Sequence, residues 1–426
     1  MREDFLHYLW KFKKFKFQEA RTTNGEEILI SEVGMHNQLS GPDFFNARIK
    51  IGKQLWAGNV EIHIKSSDWY AHHHETDENY DNVILHVVWQ HDVDIFRKEN
   101  SAVPTLELEN LVNMNVLEQY NRLNSTDKNW INCEKFFPEL DLFKTDRWLE
   151  RMYFERLEEK SMLITNLLKK TGNDWEAVLF QLLAKNFGLN VNGEAFLQIA
   201  GSFDFRIIKK NFSNKKVLQS LLLGQAGLLE SDYEDIYFQD LKKNYRYLKH
   251  KYTLNNSGIT KPRFFRLRPD NFPTIRLMQL AEIYASEQNV FREVTNFSDL
   301  TGLIRKFQVE VDGYWLTHYN FGREHRERKK KTTLKFINLI LINTVIPFNF
   351  VYARKMGKPL EPVVEVARTL IAEENSVVSR FYELKPNLPS DALHSQALLH
   401  LKRNYCDKNR CMDCELGVSL LQSNLK

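Results

Sequence analysis

The chain has 426 residues, of which 43% are hydrophobic and 27% are charged, and its formal net charge is +4. This is the composition of a globular chain with a sizeable core, and at about 150 residues per domain it predicts two or three domains. The net charge is too small for its sign alone to indicate a nucleic-acid partner.

The N-terminal segment predicts a helix and then a short strand. Residues 1–16 are charged and amphipathic, without the apolar core and small-residue cleavage site of a signal peptide, so we expect a cytoplasmic protein. Apolar residues recur along one side of residues 4–17, which predicts a helix, and residues 27–32 are predicted to form a strand. Eight of the thirteen histidines lie within the first 91 residues, which marks this part of the chain as chemically distinct.

A β-hairpin is predicted next. Apolar and polar residues alternate over residues 44–51 and 55–65, as in half-buried strands, and the Gly-Lys pair at 52–53 suits a two-residue turn. Regular pairing about this turn would place Asp43 opposite Ile62, on the apolar side. For Asp43 to reach the polar face, the chain must kink at the preceding proline or carry a β-bulge, for which the glycine at position 58 is a candidate.

The polar face of the second strand carries Glu61, His63 and Lys65 side by side. Asp43 and Glu61 would supply the hard oxygen ligands that Mg²⁺ or Mn²⁺ prefers. His63 or Lys65 would orient an attacking water or stabilise the charge that develops on a phosphate. A hairpin with a merely polar outer face is the alternative interpretation.

This arrangement resembles a known motif. Pro42-Asp43, followed after a gap by Glu61-x-His63, resembles the signature of the PD-(D/E)xK nuclease superfamily, in which a carboxylate and an acid-x-lysine lie on adjacent strands. The resemblance implies an α-β-β-β-α-β core and metal-dependent cleavage of nucleic acid. The sequence departs from the motif in that His63 replaces the lysine, while Lys65 lies two residues later on the same face.

The wider chain is similar to an uncharacterised bacterial family that carries the domain-of-unknown-function number 2851. Residues 41–44, 61–63 and 266–273 and the C-terminal cysteines carry this similarity, which extends over nearly the full length. It implies no activity.

The histidine-rich stretch after the hairpin is predicted to be a helix over residues 69–80. His74 and Asp77 would share one face of this helix, and Asp77 and Tyr80 a neighbouring one. In the functional interpretation, His72, His74 and Asp77 support the carboxylates of the hairpin or contact phosphate. In the alternative interpretation, this is a solvated polar face.

A central strand is predicted over residues 83–89, which are apolar on both faces, and a further strand near residues 105–108. His86, inside the central strand, is interpreted as a hydrogen-bonded core histidine, with a supporting role at the site as the alternative. The order of helix, strand, hairpin, helix and strand is the one that the nuclease resemblance implies.

Beyond this segment the pattern is mostly helical. Residues 113–145 are predicted to be a connector, and apolar spacings of three and four predict helices over residues 148–169, 175–187 and 216–229. The most apolar run, residues 336–352, contains three asparagines and a proline, which lipid disfavours. We therefore expect a buried helix there, with a membrane span as the alternative.

Two basic stretches of the helical part are candidates for contact with phosphates. The first interleaves Arg263, Arg266 and Arg268 with aromatic residues, a composition suited to backbone contact and base stacking. The second, residues 322–331, is a dense positive patch. Such a stretch is more often just a solvated surface. Together with the hairpin carboxylates they favour a nucleic-acid partner, and no membrane partner is expected.

The four cysteines form a second signal. Cys406, Cys411 and Cys414 are closely spaced near the C-terminus, and Cys133 lies in the predicted connector. In a chain without a secretion signal, such spacing favours metal over disulfide. Four thiolates can complete a tetrahedral Zn²⁺ site or hold a 4Fe–4S cluster, and some PD-(D/E)xK nucleases carry a comparable cluster. Reduced thiols without metal are the alternative.

We therefore predict an α+β protein. A small mixed-sheet, nuclease-like domain is expected in residues 1–112, a connector in 113–145, a large mostly α-helical domain in 146–400 and a cysteine-containing tail in 401–426. The predicted function is that of a metal-dependent phosphodiesterase acting on nucleic acid. The alternatives are a non-catalytic nucleic-acid-binding or assembly protein on an inactivated nuclease core, and a metal-dependent hydrolase of a small phosphorylated molecule.

Overall fold

The chain folds into two compact units. A computed structural model describes residues 1–37, 39–123, 129–286, 289–296 and 299–422. Unit 1 comprises Met1–Trp148 and Lys402–Lys426, and unit 2 comprises Leu149–Leu401, so the cysteine-containing tail belongs to unit 1. About 53% of the chain is helical and 13% is strand, with the main sheet near the N-terminus, which confirms the predicted α+β class.

Unit 1 is built on a mixed sheet. Its strands are β1 (Ile28–Glu32), β2 (Met35–His36), β3 (Phe44–Ile51), β4 (Gln54–Lys65), β5 (Val83–Gln90) and β6 (Thr105–Glu107). The order is β1-β3-β4-β5-β6, with β2 also paired to β3; β1, β3 and β4 are antiparallel, and β5 and β6 continue in parallel. The first six residues of β5 are buried, as expected of a central strand whose sequence is apolar on both faces.

The predicted hairpin is present, and a β-bulge shifts its register. Phe44 opposes Val60, but Ala47 opposes Gly58, so β3 holds one extra residue at this point. Within this bulge, Asn46 takes a left-handed φ of 58°. The bulge therefore lies in β3, opposite Gly58, which was its predicted site. The bulge shifts the register by one residue, and this shift brings Asp43 to the polar face of the hairpin.

Helices make up most of the remaining chain. In chain order they are α1 (Glu3–Lys11), α2 (Asp68–Ala71), α3 (Met114–Leu123), α4 (Leu142–Lys170), α5 (Trp175–Phe187), α6 (Leu189–Gly201), α7 (Arg206–Lys210), α8 (Lys215–Gln225), α9 (Ile236–Lys251), α10 (Pro273–Ser286), α11 (Val290–Thr295), α12 (Leu300–Phe307), α13 (Leu334–Ile340), α14 (Ile346–Lys355), α15 (Glu361–Thr369), α16 (Ser376–Leu384), α17 (Ala392–Leu401) and α18 (Glu415–Gln422). The described residues of unit 2 also form four short strands, β7 (Glu310–Val311), β8 (His318–Asn320), β9 (Arg323–Glu324) and β10 (Lys330–Lys331).

Two predictions in unit 1 are wrong. The helix predicted over residues 69–80 is the single turn α2, followed by turns and a 3₁₀ turn at Glu78–Tyr80. His73 has a φ of 60°, which a continuing right-handed helix does not allow. The segment predicted as a connector contains α3, whose buried Tyr120 stacks on Phe5 of α1 at a centroid distance of 4.3 Å.

In unit 2 the predicted helices are present as α4, α5 and α8, the last ending earlier than expected. The predicted apolar run lies in a continuous helical stretch, Leu334–Lys355, that joins α13 and α14 through a π-helical turn. Among the described residues it is the one helix with the length and composition to cross a membrane, with a mean hydropathy of 1.7. Within its most apolar window, 78% is buried inside the protein, as expected of a core helix.

Candidate functional site

The bulge brings the two predicted carboxylates together. The backbone N–H of Asp43 donates to Oε2 of Glu61 at 3.1 Å, and the N–H of Ile62 donates to Oδ2 of Asp43 at 3.0 Å. Glu61 is only 5% exposed. Its burial, and then the neighbouring charge of Asp43, raise the pKa of Glu61 to about 9. An ionised Glu61 in this position is therefore stabilised by any cation that joins it.

The other carboxylate oxygen of Glu61 faces imidazoles. Its Oε1 lies 3.5 Å from Nε2 of His63 and 3.4 Å from Nε2 of His74. Nε2 of His63 is also 3.1 Å from Nδ1 of His72, and one ring nitrogen of each histidine lies within 4.8 Å of the other two. Ligand atoms around a tetrahedral ion are about 3.3 Å apart when the bonds are 2.0–2.1 Å long. We call Glu61, His63, His72 and His74 the histidine cluster. Its three imidazoles have the spacing to hold one metal ion, and the Glu61 carboxylate lies beside two of them.

His86 holds His63 from the opposite side. Nε2 of His86, on the neighbouring strand β5, lies 2.9 Å from Nδ1 of His63, and His86 is fully buried. Such a bond to the far ring nitrogen is the usual way in which proteins orient a metal-ligating histidine. Burial lowers the pKa of His86 well below its ordinary value and that of His63 to about 3. Both imidazoles are thus neutral at neutral pH, the form that binds metal.

The loop after β4 supplies the other two histidines. Because His73 is left-handed, the chain turns between His72 and His74, and both of these rings reach His63. The ring of Tyr80 stacks on His74 at a centroid distance of 3.7 Å. Burial raises the pKa of Tyr80 to about 12, so its hydroxyl stays protonated. Of the predicted supporting residues of this loop, His72 and His74 therefore meet at the site, although through turns and not along a helix.

Lys65 and Asp77, two further predicted site residues, do not belong to the histidine cluster. Lys65 is exposed at the end of β4, two residues beyond His63, and its backbone N–H donates to Asp68. Asp77 is exposed, and its Oδ1 accepts from the N–H of Asn79 at 2.9 Å, which caps the 3₁₀ turn. Asp77 thus has a local structural role, whereas the side chain of Lys65 is exposed to solvent.

The predicted nucleic-acid contacts lie in unit 2. Arg263, Arg266 and Arg268 are all exposed. The guanidinium of Arg266 lies over the ring of Phe265, 5.2 Å from its centroid. Arg268 lines a cavity, together with cations from the second basic stretch.

Sequence reasoning missed the contribution of α1. Nε2 of His7 lies 3.3 Å from Oδ2 of Asp43. Burial disfavours the charged imidazole, but the contacts with Asp43 outweigh it and raise the pKa of His7. Glu3, one turn earlier, has a pKa raised by burial and then by Asp43. The sequence signal for this contribution was the Glu-x3-His pair at the start of the predicted helix and of the histidine-rich segment.

A cleft of about 500 Å³ opens beside these residues. His7, His36 and Asp43 contribute to its lining, and so do Met412 and Asp413 from the tail. We call it the Asp43 cleft. It offers an approach from solvent to Asp43 and His7.

The four cysteines gather in unit 1 without a disulfide. Cys414 is buried and the other three are half-buried. Burial, and then the neighbouring thiols, raise the pKa of Cys133 and of Cys406, so these groups are close enough to influence one another's charge. Nδ2 of Asn132 lies 3.4 Å from Sγ of Cys411. Cys133 therefore lies near the tail cysteines within unit 1.

The fold and site define an α+β protein with a buried cluster of histidine and glutamate on its N-terminal sheet. The family model described as a protein of unknown function, DUF2851, matches residues 3–376, and the chain belongs to this family. Neither the curated proteins nor the solved structures gave a match. The matched residues include the whole histidine cluster and end before the cysteines of the tail.

Proposed function

We propose that the protein is a metal-dependent hydrolase that cleaves phosphodiester bonds in nucleic acid and holds its ion in the histidine cluster. The observation that carries the proposal is the approach of Oε1 of Glu61 to the Nε2 atoms of His63 and His74. The pairing of Asp43 with Glu61 on adjacent strands supports it further, because the resemblance to PD-(D/E)xK nucleases predicts two carboxylates at these positions.

The donor set favours a transition metal. Three imidazoles and a carboxylate suit zinc, manganese or iron(II), whereas Mg²⁺ prefers oxygen ligands. When bound, such a cation polarises a phosphoryl oxygen and lowers the pKa of a water molecule. The sequence predicted an ion held by Asp43 and Glu61, whereas here we propose an ion held by Glu61 and the histidines. Mn²⁺ suits both ligand sets.

The surrounding side chains supply orientation and proton transfer. His86 holds the far nitrogen of His63. Asp43 holds His7 at the Asp43 cleft, where the imidazole can take a proton from the substrate or return one. Lys65, exposed on the same strand face, can contact a phosphate of the bound strand.

Cleavage assays test this proposal. The wild type is incubated with Mn²⁺, Zn²⁺ or Mg²⁺ and labelled DNA or RNA, single-stranded and duplex. Glu61→Gln keeps the shape of the side chain but removes its charge, and we expect metal-dependent cleavage to fall at least as far as the roughly 10–100-fold typical of losing a supporting partner. Glu32→Gln, at an exposed position at the end of β1, is the matched control. Wild-type cleavage by Glu61→Gln would refute the assignment.

A non-catalytic nucleic-acid-binding or assembly protein on the same core is the second candidate. It is favoured by His63, which stands where the nuclease motif has lysine and whose two ring nitrogens both face other histidines. Under this function, the wild type binds oligonucleotides and Mn²⁺ or Zn²⁺ by calorimetry but cleaves no substrate with any of the three ions.

We also propose that the four cysteines hold a zinc ion or a 4Fe–4S cluster. The thiols of Cys133 and Cys406 lie within electrostatic reach of the other two, which supports this, although among the described residues the histidines, and not the thiols, have the spacing of a preformed metal site. Because residues between the last two cysteines line the Asp43 cleft, the bound group would fix one wall of that cleft. Anaerobically purified protein should contain zinc, or iron and sulfide, and Cys414→Ser should lose it. Colourless, zinc-free wild-type protein would remove this proposal.

A further inference from the structure

The two basic stretches of unit 2 meet at one cavity. Arg268 belongs to the aromatic-rich stretch and Arg328 to the dense positive patch, and both line a cavity of about 600 Å³. Its lining includes seven arginine and lysine side chains and a single carboxylate, that of Asp270. We call it the Arg276 pocket, after its buried arginine. Its volume lies within the range of sites that bind small ligands, and its charge suits an anion.

Arg276 is a buried cation whose hydrogen-bond partners are neutral, and the carboxylate that acts on it, that of Asp270, is paired with Arg328. Arg276 is 7% exposed, and its guanidinium lies 3.6 Å from the ring centroid of Phe336. Its terminal nitrogens donate to amide oxygens, those of Gln279 at 2.8 Å and Asn271 at 2.5 Å. In the part of the chain that the structure describes, its Nε has no hydrogen-bond partner. Burial lowers the pKa of Arg276 to about 10, so it is still charged at neutral pH. A buried charge of this kind is costly until an anion joins it.

The carboxylates nearby neutralise only part of the lining. Four of its cations form ion pairs: Arg328 with Asp270, Lys329 and Lys331 with Glu310, and Lys335 with Glu374. The ammonium of Lys330 donates to backbone carbonyls. Among the described residues, neither Arg268 nor Arg276 forms an ion pair, and the pocket therefore keeps a positive charge.

We infer that the Arg276 pocket binds a phosphate group of a single-stranded nucleic acid. The planar guanidinium of Arg276 can donate hydrogen bonds to phosphate oxygens. The guanidinium of Arg268, at the exposed edge of the pocket, can donate to the same phosphate. Apolar side chains, among them Ile275, Phe336 and Leu339, line the pocket as well and can pack against a base or sugar. Binding of the anion does not depend on the histidine cluster, but nucleic acid as the source of the phosphate rests on the proposed function.

Fluorescence anisotropy with short labelled single-stranded DNA and RNA tests this inference, in EDTA so that no cleavage occurs. Arg276→Gln and Arg268→Gln should each weaken binding roughly tenfold, the loss expected for one charged hydrogen bond. Each should also reduce the slope of log Kd against log salt by about 0.7, the value per phosphate contact on a single strand. Arg246→Gln, an exposed arginine of α9, is the matched control and should bind like the wild type.

Melting temperatures are recorded for all variants, since Arg276→Gln alters a buried position, whereas Arg268→Gln leaves the core unchanged. Wild-type binding by a folded Arg268→Gln variant, or an equal loss in Arg246→Gln, overturns the inference. If vesicles of anionic phospholipid bind in place of the oligonucleotides and depend on the same arginines, the nucleic-acid assignment is wrong. If the pocket binds oligonucleotides but no ion supports cleavage, the proposed hydrolase fails and the pocket assignment stands.

Discussion

Replacing His86 tests whether the imidazoles of the histidine cluster form a metal site or only pack against one another. In His86→Leu, Nδ1 of His63 loses the partner that now lies 2.9 Å away. Loss of such a supporting bond lowers metal affinity by roughly 10–100-fold, or about 1.4–2.8 kcal/mol. In the metal-free protein, one buried ring nitrogen is left without a partner, which costs about 1–3 kcal/mol of unfolding free energy. Metal affinity and stability should therefore both fall.

Two titrations measure these effects. Competition with a chromogenic chelator gives the Zn²⁺ and Mn²⁺ affinities, and urea unfolding in EDTA gives the stability. His86→Gln, which can still hydrogen-bond to His63, should recover part of the metal affinity, and His250→Leu, at an exposed site in α9, should change neither quantity. If His86→Leu loses stability but binds both ions like the wild type, the orienting role of His86 is wrong and the cluster is a packed core feature.

Two further predictions concern the backbone and a buried charge. Asn46→Val places a β-branched residue at a φ of 58°, which should lower the free energy of urea unfolding by about 1–2 kcal/mol. It should also weaken metal binding, because the bulge sets the register of Asp43. Unchanged metal affinity would contradict this. Burial lowers the pKa of Lys160 to about 7 in the folded state, below its value in the unfolded chain. Above pH 7 the unfolded chain therefore binds more protons than the folded protein. The wild type gains stability as the pH rises from about 7 towards 10. Lys160→Met lacks this gain, so its Tm relative to the wild type should fall between pH 6.5 and 9.5, whereas a constant difference would exclude Lys160 as the titrating group.

The alternation of apolar residues made the hairpin predictable, because a strand buried on one face leaves a period of two in its sequence. That same alternation put Asp43 on the wrong face, and only a bulge could correct it. The place of the bulge was not predictable, since asparagine tolerates the left-handed conformation but does not require it. The sequence thus indicated that Asp43 and Glu61 could meet, without showing that Asn46 is where the strand takes its extra residue.

The histidines show a different limit. His72 and His74 were candidates on the assumption of a helix, in which neighbours two apart face different directions. They converge because His73 reverses the chain, a local conformation that leaves no periodic signal. His7 was missed because its partner Asp43 is distant in sequence, and only the packing of α1 on β4 brings them together. The composition was enough to place the site in the histidine-rich segment. The residues that could bind a metal together could be identified only from the tertiary structure.

The ring nitrogens of the cluster give a direct test of metal binding, because each imidazole can ligate only through a nitrogen that carries no proton. The atoms facing one another are Nε2 of His63, Nε2 of His74 and Nδ1 of His72. Ligation therefore fixes His63 and His74 as the Nδ1–H forms and His72 as the Nε2–H form, and His63 then donates to His86. Long-range ¹H–¹⁵N spectra should show these three tautomers after one equivalent of Zn²⁺. If Zn²⁺ leaves the three ¹⁵N patterns as they are in EDTA, the ion binds elsewhere, and the hydrolase proposal loses its metal centre.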